Sequence, residues 1–165
     1  MGTNVSSNWM RSLQETNRDF PSYFHAEKYE SIGYKDHLHR NIEVYCVVKG
    51  RSHVTINERE YDLTEGQAVV INSMQIHSYK NSEGTIVSFL LIGSNYLQLF
   101  NSLYPERILP EFLFDKDANK PVLEMIDRIA VQYDDFDAFE SMGYSNLLIH
   151  HIVGAYGTEV EKKGS

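Results

Sequence analysis

Between Tyr23 and Ile92 the chain is a succession of short β-branched and aromatic runs, each closed by residues that turn the backbone, and this texture restricts the fold more than any other feature. The closing residues are Lys49-Gly50, Asn57-Glu58, Thr64-Glu65-Gly66, Asn72-Ser73 and Asn81-Ser82-Glu83-Gly84. They tolerate positive φ or hydrogen-bond their own backbone. Turns this close together require antiparallel pairing, as in a small sandwich or barrel. Strands are predicted at about 22–30, 36–39, 42–49, 52–57, 60–63, 67–72, 76–80 and 85–92. Within 42–49, Ile42, Val44, Cys46 and Val48 share one apolar face, and Glu43, Tyr45 and Val47 point the other way. One face is expected to be core, and the other to line a cavity.

After Ile92 the period changes. Residues 94–104 suit a short helix, Pro105 to Pro110 breaks it, and 111–114 allow one more strand. Asn119-Lys120-Pro121 opens a helix carrying Val122, Met125, Ile126, Ile129 and Tyr133 at helical spacing. A second is expected from about 137 to 160. The stripes on these helices must be buried on the barrel, on each other or on a second subunit. Leu147, Ile149, Ile152, Val153 and Tyr156 are the candidate dimer surface. Residues 6–17 suggest a weak N-terminal helix. The division expected is an arm (1–20), a barrel (21–115), a helical dimerisation segment (119–160) and a polar stub (161–165), the fold ending before EVEKKGS at 159–165.

A chain of 165 residues, 42% hydrophobic, suits one domain with a real core. Its net charge of -8 disfavours binding of nucleic acid or an anionic membrane by this chain alone. Cys46 is the only cysteine, so neither an intrachain disulfide nor a multi-cysteine zinc cluster can form. A buried apolar role for Cys46 and a reducing, cytoplasmic setting follow as expectations. No apolar stretch approaches the roughly 20 residues that span a bilayer, and no signal-peptide layout opens the chain.

The chemistry concentrates in HLHRNIEVYCVVKG, residues 37–50. His37, His39 and Glu43 share strand parity, and His77 supplies a fourth donor from a distant strand. Imidazole and carboxylate donors suit zinc, iron, manganese, copper or nickel. An equally open reading is a polar pocket wall in which the same groups hydrogen-bond each other and a ligand. Tyr45 and Tyr79 share parity with Glu43 and His77 and are expected to face that pocket. His150 and His151 are adjacent on a helix, about 100° apart, and cannot chelate one ion. His25 and His53 have no partner at ligand spacing. No nucleophile elbow, P-loop or dinucleotide-binding glycine pattern occurs.

The spacing H-x-H-x3-E-x6-G, filled by His37, His39, Glu43 and Gly50, resembles the first motif of the cupin superfamily. Gly66, His77 and Asn81 match the second, G-x5-P-x-G-x2-H-x3-N, with Asn72 at its proline and Met74 at its second glycine. Ser31 stands where the first motif expects a glycine. More narrowly, residues 43–80 followed by two helices are similar to the N-terminal effector-binding domain of AraC-type transcription regulators, in which the second motif is relaxed. The resemblance implies a mainly β, double-stranded β-helix (jelly-roll) barrel with two C-terminal α-helices. It also implies a non-enzymatic sensor of a small molecule, a sugar among the candidates, and a homodimer that reads DNA through a helix-turn-helix part outside this chain. For Trp9, on the arm, the resemblance offers a cap over the ligand, and the alternative reading, a residue of a disordered terminus, carries more weight. The alternative is a metal-dependent cupin isomerase or dioxygenase with His37, His39, Glu43 and His77 as ligands.

Overall fold

The computed structural model describes residues 13, 14, 17–133 and 135–161. Eight strands build the barrel: β1 (Phe24–Glu30), β2 (Gly33–His37), β3 (Ile42–Lys49), β4 (Arg51–Ile56), β5 (Arg59–Thr64), β6 (Ala68–Ile71), β7 (His77–Asn81) and β8 (Ile86–Ile92). A 3-10 turn (Ser94–Tyr96), α1 (Gln98–Leu103), β9 (Arg107–Ile108) and β10 (Phe112–Leu113) lead to α2 (Lys120–Gln132), α3 (Ala138–Tyr156) and β11 (Glu159–Val160). One sheet has the order β1-β8-β3-β6-β10 and faces another of order β2-β7-β4-β5. All pairings within them are antiparallel, which is the double-stranded jelly roll of a cupin.

The alternation along β3 decides where the two cores lie. Ile42, Val44 and Cys46, with Ala68, Val70, Leu90 and Ile92, lie under Val122, Ile126 and Ile129 of α2 and Leu148, Ile149 and Ile152 of α3. Tyr45 and Val47, with Val69, Ile71 and Val87, face Val54, Ile56, Leu63 and Tyr79 inside the barrel. Val48 leaves the pattern, because the register between β3 and β8 shifts between Val47 and Lys49. Cys46 is buried, and burial pushes its thiol up to about 12, so it behaves as a small apolar side chain.

The helices begin and end for local reasons. Asp137 caps α3 by accepting from Glu140 N at 2.8 Å, a capping box, and Gly157 at φ 78 ends it. Asn119 precedes α2 but does not cap it. Its Nδ2 donates to the carbonyls of Gly66 (2.9 Å) and Leu113 (2.8 Å), and its Oδ1 accepts from the Tyr156 hydroxyl (2.7 Å), tying barrel, α2 and α3 together.

Several expectations change here. Ile152 is fully buried and Ile149 nearly so by the chain itself, and Tyr156 is engaged by Asn119, so these three are not a free surface for a partner. Val153 is half-buried, and only Leu147 of that set is well exposed. The fold does not stop before Glu159, since Glu159 and Val160 pair with Ile108 and Arg107. The expected helix over 94–104 is two pieces broken at Leu97. The strand expected at 36–39 starts earlier and ends at His37, leaving His39 beyond it. Gly33 permits that start: at φ 126, a Cβ there would meet the Tyr79 carbonyl. Most of the expected 6–17 helix, Trp9 and residues 162–165 lie outside the described residues. No helix among the described residues is long and apolar enough to cross a membrane.

Candidate metal centre and pocket

His37 ends β2 directly opposite His77, the first residue of β7. Glu43 reaches them from β3 in the facing sheet, and His39 comes from the turn between. One donor atom from each of the four lies within 4.8 Å of the others, and all four side chains are buried. The ring centroids of His37 and His77 are 4.0 Å apart, and those of His39 and His77 4.9 Å.

The decisive geometry is on the far side of each ring. His37 Nδ1 lies 2.8 Å from the Lys35 carbonyl, His39 Nδ1 2.8 Å from that of Asn41, and His77 Nδ1 2.8 Å from that of Gln75. A carbonyl oxygen only accepts, so each Nδ1 carries a proton, and a ring with no second proton turns an Nε2 lone pair inward. There Nε2 of His39 and of His77 stand 3.0 and 3.3 Å from Glu43 Oε2. Lone pairs cannot face a carboxylate in a buried site without a cation between them. That cation is a shared proton on an imidazole or a metal ion, and three imidazoles with one carboxylate fit a divalent transition metal.

The electrostatics agree with a charged carboxylate. Burial opposes ionisation of Glu43, but the hydrogen bonds from His39 and His77 outweigh it and hold its carboxyl well below the usual range. Burial, helped by His77, lowers His37 from 6.5 to about 4. Tyr79 donates to Glu43 Oε1 at 2.6 Å, and burial and then the Glu43 charge push its phenol well above 10, so it remains a donor. Tyr45 does not reach the cavity. It lies behind Tyr79, stacked at 3.9 Å and 5°, with its hydroxyl 3.0 Å from Ser52 Oγ and donating to Asn81 Oδ1 at 3.3 Å. Burial raises the Tyr45 phenol to about 12.

The relaxed motif positions have compensations. Met74 adopts φ 64, the conformation that the motif's glycine takes without strain, and its N–H donates to the His39 carbonyl at 2.8 Å. Asn72 uses the N–H that proline lacks to reach Gln75 Oε1 at 2.7 Å, and its Nδ2 donates to the Leu109 carbonyl at 3.1 Å. Gln75 thereby holds the loop whose carbonyl orients His77.

Beside the cluster opens a cavity of about 650 Å³ lined by His37, His39, Glu43 and Tyr79. His77 lies beneath them with its side chain fully covered. Sequence reasoning missed other lining residues, among them Gln14, Asn17 and Arg18 from the arm, and Tyr29, Phe89 and Leu91 from β1 and β8. Strand parity bears on two of the last three, since Phe89 and Leu91 share a face and pair with Tyr45 and Glu43. Nothing local marked the arm residues.

A small antiparallel barrel whose mouth holds three histidines and a glutamate from two facing sheets has the cupin fold. Residues 24–93 match the cupin domain family. No curated protein matches the sequence. Among solved structures, the chain is similar to apo ToxT K231A from Vibrio cholerae, with a TM-score of 0.52 and 12% identity over 84% of this chain and 56% of that one. It is also similar to an RmlC-like cupin from Shewanella frigidimarina, with a TM-score of 0.37 and 21% identity over 46% of this chain and 68% of that one. The W96Y oxalate decarboxylase of Bacillus subtilis has a TM-score of 0.36 and 21% identity over 42% of this chain and 20% of that one. This chain thus spans about half the length of the ToxT chain.

Proposed function

We propose that the chain is the small-molecule-sensing domain of an AraC-type transcription regulator, and that its effector binds beside a divalent transition metal held by His37, His39, Glu43 and His77. The observation that carries the metal is the orientation of all three imidazoles by backbone carbonyls, which presents three Nε2 lone pairs to one point. The sensor reading draws on the fold likeness to ToxT, an AraC-family protein, which runs through barrel and helices alike. It also draws on the pocket, whose wall is shared between barrel and arm. When bound, the metal supplies Lewis acidity and coordination positions for a ligand's oxygen or nitrogen atoms. The chain's own residues hold it, keep Glu43 ionised through the His39 and His77 contacts, and offer Tyr29, Phe89 and Leu91 as an apolar wall.

A ligand that fills this cavity touches the arm and both sheets, so it favours whichever arrangement of arm and barrel gives it the better contacts. In this reading the protein is a cytoplasmic homodimer joined through its helical segment, and DNA is read by a helix-turn-helix part outside this chain. The test is metal analysis of the purified chain, followed by titration of sugars and other small metabolites with melting temperature as the readout. Stoichiometric metal, lost in His77→Ala, and a ligand-dependent rise in melting temperature are expected. Metal-free protein overturns the metal assignment, and no shift with any ligand overturns the sensor.

A second reading is a metal-dependent cupin enzyme, an isomerase or dioxygenase. One observation favours it: His37, His39 and Glu43 face an open cavity while His77 is covered, so the accessible side of the centre meets the bound molecule. Turnover of a bound ligand by the metal-loaded chain would select it.

A further inference from the structure

Residues 38–41 serve two structures at once. Toward the barrel, Leu38 sits between His37 and His39, and the Asn41 carbonyl fixes His39 Nδ1 at 2.8 Å. Toward the arm, the Leu38 N–H donates to the Leu13 carbonyl at 3.0 Å, and Gln14 forms a parallel bridge with Leu38. The Arg40 N–H lies 2.8 Å from both carboxylate oxygens of Asp19, and the Asn41 N–H donates to Asp19 Oδ1 at 3.0 Å. Asn41 Nδ2 donates to the Arg18 carbonyl at 3.0 Å, and Gln14 Nε2 to Asp19 Oδ2 at 3.3 Å. One carboxylate therefore gathers two successive backbone N–H groups of the turn that orients a candidate metal ligand.

We propose that Asp19 is a positioning residue for the His37-His39-Glu43-His77 centre and that, through Asn41, it couples docking of the arm to metal binding. The inference rests on the metal reading above. The Asn41 peptide has its N–H on Asp19 and its side chain on the arm, and the carbonyl of the same residue holds His39. Releasing Asp19 frees this turn to rotate, and His39 then loses the anchor that aims Nε2 at Glu43. Coupling between two equilibria is reciprocal, so a docked arm that tightens the metal by some factor must itself be favoured by the metal by that factor. Gln14, Asn17 and Arg18 line the cavity. The metal would thus set whether the arm's polar groups stand ready at the ligand pocket.

The experiment uses the full chain with zinc or cobalt alone as probe, in wild type, Asp19→Ala and Asp19→Asn. Outer-shell partners of this kind typically change metal affinity by about 10- to 100-fold, and Asp19→Ala is expected to fall in that range. Asp19→Asn keeps an acceptor oxygen and should lie between. The cobalt absorption bands should change in Asp19→Ala as His39 becomes a poorer ligand, a change that general destabilisation does not produce. By amide hydrogen exchange, zinc should slow Leu38, Arg40 and Asn41 in wild type by the same factor and leave them fast in Asp19→Ala. The β4 amides, paired within the sheet, report that each variant is folded. Wild-type zinc affinity in both variants, or zinc that binds wild type without slowing those three amides, overturns the coupling. If wild type binds neither metal, the reading of the centre itself fails, an outcome distinct from the other two.

Discussion

Mild acidification should weaken folding of the metal-free protein through His37. His37 titrates near 4 in the folded chain against 6.5 ordinarily, because burial and the neighbouring His77 disfavour its charged form. Below pH 6.5 the unfolded chain takes up a proton that the folded chain refuses, so folding weakens as pH falls through the window from 6.5 to 4. At 1.36 kcal/mol per unit, the loss from this group is between 1 and 2 kcal/mol at pH 5.5 and roughly 2 to 3 kcal/mol at pH 4.5. Glu43 acts in the same direction lower down. Its carboxyl is held well below 4.5, so its contribution is present above 4.5 and is lost as pH falls through the lowered value. The assay is urea unfolding of chelator-treated wild type and His37→Gln at pH 7, 5.5 and 4.5. His37→Gln should be flatter than wild type by about 2 kcal/mol across that range. Equal slopes for the two proteins would refute the reasoning, because they would mean that His37 is as easily charged inside the fold as outside it.

Three further outcomes are expected. Glu111 is buried and receives two bonds from Arg59, at 2.6 and 2.8 Å, and one from the Tyr61 hydroxyl. Glu111→Ala should cost about 2 kcal/mol in urea unfolding, less than a fully buried pair because Arg59 can reach water. Asn72→Pro restores the motif residue but removes the bonds to Gln75 and Leu109, so it should lower stability by about 2 kcal/mol in a thermal melt rather than raise it. On α3, Ile152→Asp should abolish folding by circular dichroism, whereas Leu147→Asp should stay within about 0.5 kcal/mol of wild type. If the dimer forms through this helix, sedimentation should find Leu147→Asp monomeric; an unchanged dimer would place the interface elsewhere.

Much of the molecule was legible in local pattern. Alternation along 42–49 separates a face that helices cover from a face inside the barrel, because side chains on a strand alternate whatever the strand packs against. The turn residues delimit strands for an equally local reason, the φ each can adopt. Spacing and residue type group His37, His39, Glu43 and His77, and folding brings one donor atom from each within 4.8 Å of the others. Strand parity accounts for His39 only in part, since this residue lies beyond β2 and is aimed by the Asn41 carbonyl.

Depth and partnership were not legible. Tyr45 and Tyr79 carry the same parity signal, yet Tyr79 meets the cavity and Tyr45 is stacked behind it, because parity gives a direction and not a distance from the mouth. The apolar stripe of α3 could have served a partner or its own chain, and the burial of Leu148, Ile149 and Ile152 in the core shared with α2 and the barrel settles how those residues are used. Glu159–Val160 looked like tail because a two-residue strand has no signal until β9 lies beside it. The arm's place at the pocket likewise depends on Asp19 meeting backbone N–H groups 21 and 22 residues away. The sequence by itself determined the strand faces, the helices and the donor set, since these follow from neighbours in the chain. Only the tertiary structure decided which donors are aimed, which apolar residues are covered and what closes the pocket, since those depend on groups that folding brings together.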